Sequence, residues 1–378
     1  MQRRKFGVHD FDVSVLGFGC MRLPVIDNQP DKIDEDKASE MIRYAVDNGV
    51  DYVDTAFNYH REQSEIVLGR ILKDGYRDRV NLATKCPTWL IEEHGDFDRY
   101  LDTQFSKLQT DRIDMYLLHS LNKSRWEALV KADVFRFLDR AKQDGRIRHA
   151  GFSFHDDVST FKTIVDSYNW DFCQIQYNFM DENYQAGTEG LKYAAGKNLA
   201  VVIMEPLRGG RLVQNVPGDV RDIMSKSGIT RTPADWALRW VWNHPEVTVV
   251  LSGMGELSQV KENMETARTA FPNSLTDEEL ALFDEVKAFY RERIKVNCTK
   301  CEYCMPCPQG ISIPGLFEAY NDAHIYNTLA NLSGNYQRFI ENHGDPADCA
   351  ECGQCEEACP QHLPIREHLK EIRRTLAK

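Results

Sequence analysis

Two sets of residues in this chain have types and spacings that can do chemistry. The first is a set of thiols. Cys349, Cys352, Cys355 and Cys359 follow a C-x2-C-x2-C-x3-C pattern closed by Pro360, and Cys298, Cys301, Cys304 and Cys307 repeat it with one residue fewer before the last cysteine and Pro308. Three thiolates two residues apart can wrap one face of an iron–sulfur cubane, while a more distant cysteine followed by proline reaches a second centre. Two such motifs predict two 4Fe–4S clusters. Two four-cysteine zinc sites are the alternative, but zinc motifs place two separated cysteine pairs around one ion rather than three cysteines in one run. The second set is Asp54, Tyr59, Lys85 and His119. Reducing a carbonyl needs a hydride donor and a proton for the developing alkoxide, and a tyrosine gives that proton only if its acidity is brought towards working pH. The Lys85 ammonium would stabilise the phenolate and Asp54 would fix and compensate that lysine. His119 would orient the carbonyl or share in the proton relay.

These four residues need a frame that brings them together. Asp54, Lys85 and His119 each end an apolar run of strand length, and eight such runs occur, at 13–19, 50–55, 80–85, 113–119, 147–153, 172–177, 200–205 and 247–253. Amphipathic segments such as 35–49, 64–75, 134–145 and 232–244 alternate with them, several closed by glycine. Eight strand–helix repeats in about 250 residues suit a closed (β/α)8 TIM barrel better than an open doubly wound sheet. The end positions Asp54, Lys85, His119, Gly151, Tyr177, Glu205 and Gly253 are separated by 31, 34, 32, 26, 28 and 48 residues, so only the last repeat is long. The excess falls at Arg208 to Arg231, after the seventh strand, where a barrel builds its active-site loops, and this insertion is expected to overhang the cleft. Thr276 with Glu279 forms a capping-box pattern ahead of a helix over 275–293. Gly17 and Gly19 lack the rest of a dinucleotide fingerprint, which argues against a Rossmann reading.

Composition separates the same two parts. Eight of the 11 cysteines of the 378-residue chain lie between Cys298 and Cys359, which divides it into a barrel domain over 1–294 and a small helical iron–sulfur domain over 295–378. Its Cys motifs are 298–308 and 349–360, and 313–340 between them reads as two helices. Cys20, Cys86 and Cys173 lie in or beside strand runs and read as core fillers, with a cleft position the alternative for Cys86. A formal net charge of −12 argues against a broad nucleic-acid or anionic-membrane footprint. The basic start has no apolar segment behind it and no run is long enough to span a bilayer, so the expectation is a cytoplasmic protein, where clustered cysteines bind metal rather than pair as disulfides.

In order and at one-repeat spacing, the segments GVDYVDTAFNY (49–59), NLATK (81–85) and YLLHS (116–120) resemble the aldo-keto reductase family. Over about residues 5–270 the resemblance implies a TIM barrel, a nicotinamide cofactor bound without a Rossmann domain, and the tetrad Asp54, Tyr59, Lys85 and His119 with Tyr59 as general acid. It also implies that Ser153 in GFSFH and Gln174 in FCQIQYN hold the nicotinamide carboxamide, and that Met204 and Leu207 in MEPLRGG lie along the cofactor. Phe154 stands where many members have Asn, and Met204 where many stack an aromatic ring. Around the adenosine end, LSGMGELSQVKEN places Gly253 and Gln259 where many members carry a Lys and an Arg, while Glu262 and Asn263 keep the adenine-side pair. Two cations fewer weaken NADPH selectively, so NADH is expected to be at least tolerated, with Lys261 or Arg208 as substitute charges. The tail is similar to two-cluster ferredoxins, which implies one cluster on Cys298, Cys301, Cys304 and Cys359 and the other on Cys349, Cys352, Cys355 and Cys307.

The combined expectation is an NAD(P)H-dependent oxidoreductase that reduces an aldehyde, ketone or quinone and carries two 4Fe–4S clusters. Its partners would be a small carbonyl substrate and an electron-transfer protein, without nucleic acid or a membrane span. The other reading is an electron-transfer or docking protein whose barrel is catalytically silent. Trp89 and Trp126 are the aromatic candidates for substrate selection.

Overall fold

All eight apolar runs form parallel strands, which close into one barrel. In a computed structural model describing residues 1–377, β1 (Arg3–Lys5) and β2 (Asp12–Ser14) form an antiparallel hairpin. The barrel strands are β3 (Leu16–Gly19), β4 (Tyr52–Asp54), β5 (Asn81–Cys86), β6 (Ile113–Leu121), β7 (Ile147–Phe154), β8 (Phe172–Gln176), β9 (Ala200–Met204) and β10 (Val249–Gly253). They pair in chain order, and β10 closes on β3 with Gly253 opposite Gly19. Every residue of β6 is buried, as expected for a parallel strand covered on both faces. The hairpin departs from the sequence reading, which ran residues 13 and 14 into the first barrel strand. Phe6 and Val13 pack with Tyr52, Phe172, Ala200 and Val249 at the strand starts, so the hairpin covers the N-terminal mouth.

Compact packing gathers Met1–Leu207 and Thr232–Leu275 into one unit, and Arg208–Arg231 and the chain from Thr276 onward into a second. Side-chain caps start the barrel helices Glu35–Asp47 and Pro233–Trp242, where Asp34 accepts from the Lys37 N–H and Thr232 from the Asp235 N–H. In the second unit, Thr276 and Glu279 exchange both bonds of a capping box at the start of helix Asp277–Arg293. The insertion expected to overhang the cleft forms a helix at Gly218–Ser225, and its polar contacts run to the rest of the second unit, of which it is part. Arg208 donates to Asn297 (3.1 Å), Arg211 meets Asp322 (3.5 Å) and Arg231 meets Glu279 (2.5 Å). Between the cysteine motifs there are three helices rather than two: Ile313–Ile325, Leu329–Gly334 and Tyr336–His343. The second unit has its own apolar core, in which Ile313, Leu316 and Phe317 meet Leu369, Ile372 and Leu376 of helix Ile365–Leu376. No helix of the described residues is long and apolar enough to cross a membrane.

Candidate active site and candidate metal centres

Asp54 is the last residue of β4, Lys85 the penultimate residue of β5, His119 lies near the end of β6, and Tyr59 follows β4 in a loop. All four are less than 9% exposed. The Lys85 ammonium donates to Asp54 Oδ1 at 2.6 Å, to the Thr55 carbonyl at 2.7 Å and to the Tyr59 hydroxyl at 3.2 Å, so each of its three protons has a partner. Because the phenol oxygen accepts from the ammonium, the phenol's own proton is the one it can give. The Tyr59 and His119 rings meet edge-on with centroids 6.1 Å apart. Burial pushes the Asp54 carboxyl up, with Lys85 opposing it. Burial, then the nearby charges of Lys85, His155 and Arg125, hold His119 well below its usual range, which makes it a neutral imidazole at neutral pH. Trp89, 38% exposed, lies 5.3 Å from His119 ring to ring, whereas Trp126 is buried against Phe135 and Trp170.

Local backbone distortions aim these groups. The β6–β7 register shifts between Leu118 and Leu121, and Ser120, directly after His119, takes a φ of 54°. After Tyr59, three consecutive residues, His60, Arg61 and Glu62, have φ of 51°, 49° and 71°. The His60 imidazole fixes this turn: Nε2 accepts from the Leu23 N–H at 3.2 Å and Nδ1 donates to the Pro30 carbonyl at 2.8 Å. Behind Lys85 lies a network that the sequence reading missed. Glu65 is fully buried, and its Oε1 accepts from Thr84 (2.6 Å) and from Gln104 (2.7 Å), which also donates to the Lys85 carbonyl (3.0 Å). A signal for it existed, since Glu65 falls on the helical face of the buried Leu68 and Leu72.

The residues expected to hold a nucleotide occupy the C-terminal strand ends and the helix after β10. Ser153 Oγ accepts from the Ser120 N–H at 2.7 Å, and Gln174 donates to the Met204 sulfur at 3.5 Å. Gln174 Oε1 is a buried acceptor without a partner, a fit for an amide N–H donor such as a carboxamide. Asn263 donates to Ser252 Oγ at 2.9 Å, Glu262 accepts from Thr232, and Gln259 Oε1 turns back to the Gly255 N–H at 2.9 Å. Leu207 is half-buried at the end of its unit. A Cβ at Gly253 would meet the Arg22 side chain at 3.3 Å, so an arginine the sequence reading did not single out flanks this strand end. Of the two proposed substitute cations, Lys261 lies over the Tyr44 ring at 5.4 Å and Arg208 is bound to Asn297.

Eight cysteines of the second unit line two neighbouring cavities. Cys298, Cys301, Cys304 and Cys359 line one; Cys307, Cys349, Cys352 and Cys355 line the other, a cavity of about 200 Å³ whose wall also includes Cys304. The N–H of Lys300 points at Cys298 Sγ (3.4 Å), and those of Gln361, His362 and Leu363 favour the thiolate of Cys359. The other three cysteines, Cys20, Cys86 and Cys173, are fully buried in the barrel, and burial pushes the Cys86 thiol up to about 12.

Comparison with known proteins agrees with both halves. The model of the aldo/keto reductase family matches residues 15–288, and that of the 4Fe-4S dicluster domain matches residues 297–363. The uncharacterized oxidoreductase YqkF of Bacillus subtilis is 25% identical over 312 residues, covering 74% of this chain and 94% of its own. The NADH-specific methylglyoxal reductase of Escherichia coli is 23% identical over 333 residues, covering 76% of this chain and 98% of its own. Among solved structures, the holo form of aldo-keto reductase AKR11C1 from Bacillus halodurans matches with a TM-score of 0.64 and 27% identity, over 76% of this chain and 96% of its own.

Proposed function

Because the chain belongs to the aldo/keto reductase family and is an oxidoreductase with a 4Fe-4S dicluster domain, we propose that its barrel, residues 1–294, reduces a small aldehyde, ketone or quinone and that residues 295–378 hold two 4Fe–4S clusters. The observation that carries this reading is the Lys85 ammonium bonded at once to Asp54 and to the Tyr59 hydroxyl inside a buried strand-end cleft. A bound nicotinamide supplies the hydride. Tyr59 gives its proton to the carbonyl oxygen as charge develops there, and Lys85 stabilises the phenolate left behind. Asp54 holds the ammonium in place and balances its charge. Neutral His119 donates a hydrogen bond to the same oxygen without competing for its proton, and Trp89 beside it forms an apolar wall for the substrate. Ser153, Gln174, Met204 and Leu207 orient the nicotinamide half; Gly253, Gln259, Glu262 and Asn263 receive the adenosine half.

The nucleotide accepted includes NADH. Gly253 and Gln259 bring no cation and both candidate replacements are engaged elsewhere, which leaves Arg22 beside Gly253 where many members carry two cations. An NADH-specific protein among the relatives is consistent with this. The clusters, when bound, store and pass single electrons, which gives an electron-transfer protein a reason to be a partner.

Anaerobic steady-state oxidation of NADH with simple aldehydes and quinones tests the proposal. Tyr59→Phe should lower kcat by about 100-fold or more while nucleotide binding, followed by fluorescence titration, stays unchanged. Equal turnover by wild type and variant would remove the reductase chemistry and leave an electron-transfer protein on a silent barrel.

A further inference from the structure

At the end of the barrel opposite the cleft, three metal-type donors from three chain segments converge. His9 lies in the turn between β1 and β2, His149 near the start of β7, and Asp171 in the residue before β8. Asp171 Oδ1 is 2.8 Å from His9 Nε2 and 3.8 Å from His149 Nδ1, and the three donor atoms lie within 4.8 Å of one another. We propose that His9, His149 and Asp171 form a binding site for one divalent transition-metal ion of the zinc class, separate from the cleft and from the cysteine motifs.

The chemistry of the donors selects the class of ion. Two imidazole nitrogens and one carboxylate oxygen suit zinc or a neighbouring first-row metal, whereas calcium and magnesium need more oxygen ligands than are present. Tetrahedral zinc with nitrogen and oxygen bonds of about 2.0–2.1 Å sets its ligands about 3.3 Å apart. The two distances to Asp171, 2.8 Å and 3.8 Å, bracket that value, and all three donor atoms lie within 4.8 Å of one another, so small side-chain shifts bring them round one ion. The surroundings already prepare it. The other Asp171 oxygen accepts from the Ala150 N–H (2.7 Å) and from Lys142 Nζ (2.8 Å), which leaves Oδ1 to the imidazoles. His149 Nδ1 is a buried nitrogen with no hydrogen-bond partner. Phe6 and Phe11 wall the site, with ring centroids 5.7 Å and 5.2 Å from that of His149. Three protein ligands leave a position for water, and the ion would fasten the N-terminal hairpin to the barrel floor.

Isothermal titration of the full chain, with its clusters reconstituted without oxygen, tests this with Zn²⁺ as the probe. The wild type should bind about one Zn²⁺ per chain at least about tenfold more tightly than His9→Ala or His149→Gln, and its thermal midpoint should rise with Zn²⁺ where those of the variants do not. X-ray absorption at the zinc edge should show only nitrogen and oxygen neighbours near 2.0–2.1 Å. His9 lies in a partly exposed turn, so His9→Ala decides the question even if His149→Gln fails to fold. Equal Zn²⁺ affinity in the wild type and His9→Ala, a sulfur shell near 2.3 Å, or no binding would each overturn the site.

Discussion

Lys85 is the residue on which the cleft turns, because its three bonds hold a buried charge against a buried charge. Removing the ammonium alone strands Asp54, whose other oxygen already has no hydrogen-bond partner. Lys85→Met should therefore destabilise the native state by about 3–5 kcal/mol, and adding Asp54→Asn should recover much of that loss, since the stranded charge rather than the missing contact is the main cost. Thermal midpoints of the single and double variants measure this; a double variant no more stable than the single would show that the ion pair is not the source. His119 gives a separate pH signature. Its folded pKa lies well below 6.5, so between that lowered value and 6.5 the unfolded chain holds a proton that the native chain lacks. Stability therefore rises with pH across that window and is lost on acidification through it. Asp54, pushed up by burial, has the opposite sign, in a window that begins at its ordinary 3.8. His119→Gln should flatten the fall in thermal midpoint as pH drops from about 6.5, and an unchanged slope would place that acid sensitivity elsewhere.

At the scale of elements, Tyr59 depends on a turn that the strand pattern did not disclose. Three consecutive left-handed residues cost about 1–3 kcal/mol each unless their surroundings hold them, and the His60 imidazole is the clasp, tying the turn to Leu23 and Pro30. His60→Ala should lower both the thermal midpoint and kcat, because the turn that carries Tyr59 then loses both of its ties. A variant with wild-type kcat would mean that the turn holds itself. The contrast between legible and hidden features has a physical origin. Barrel strands buried on both faces must be apolar throughout, so their runs and end residues could be read directly, including Asp54, Lys85 and His119. The hairpin strands Arg3–Lys5 and Asp12–Ser14 are three residues each and largely polar, too short for a period to show. Arg22 and Glu65 act through positions that only the folded chain brings beside Gly253 and Lys85.

For the whole molecule the open step is electronic. Hydride transfer moves two electrons together and an iron–sulfur cluster moves one, so the number of clusters and the cysteines that hold each decide what the tail can pass on. The cysteines lining each cavity exchange their fourth member between motifs: Cys359 joins Cys298, Cys301 and Cys304, and Cys307 joins Cys349, Cys352 and Cys355. With this pairing, Cys298→Ala and Cys359→Ala strike the same cluster, whereas Cys349→Ala strikes the other. Wild type reconstituted without oxygen should hold about eight irons, the Cys298→Ala/Cys359→Ala double variant about four, and the Cys349→Ala/Cys359→Ala double variant far fewer than four. Without the exchange the two double variants would trade places, because Cys359 would then share its cluster with Cys349. Iron and sulfide analysis beside spin counts of the reduced proteins separates the two outcomes, and it also tests zinc, since a zinc-bearing tail would be colourless and free of sulfide in every variant. The two motifs were visible in the sequence as separate runs. That each cavity is lined by cysteines of both runs goes with the apolar core that the helices between and after them build.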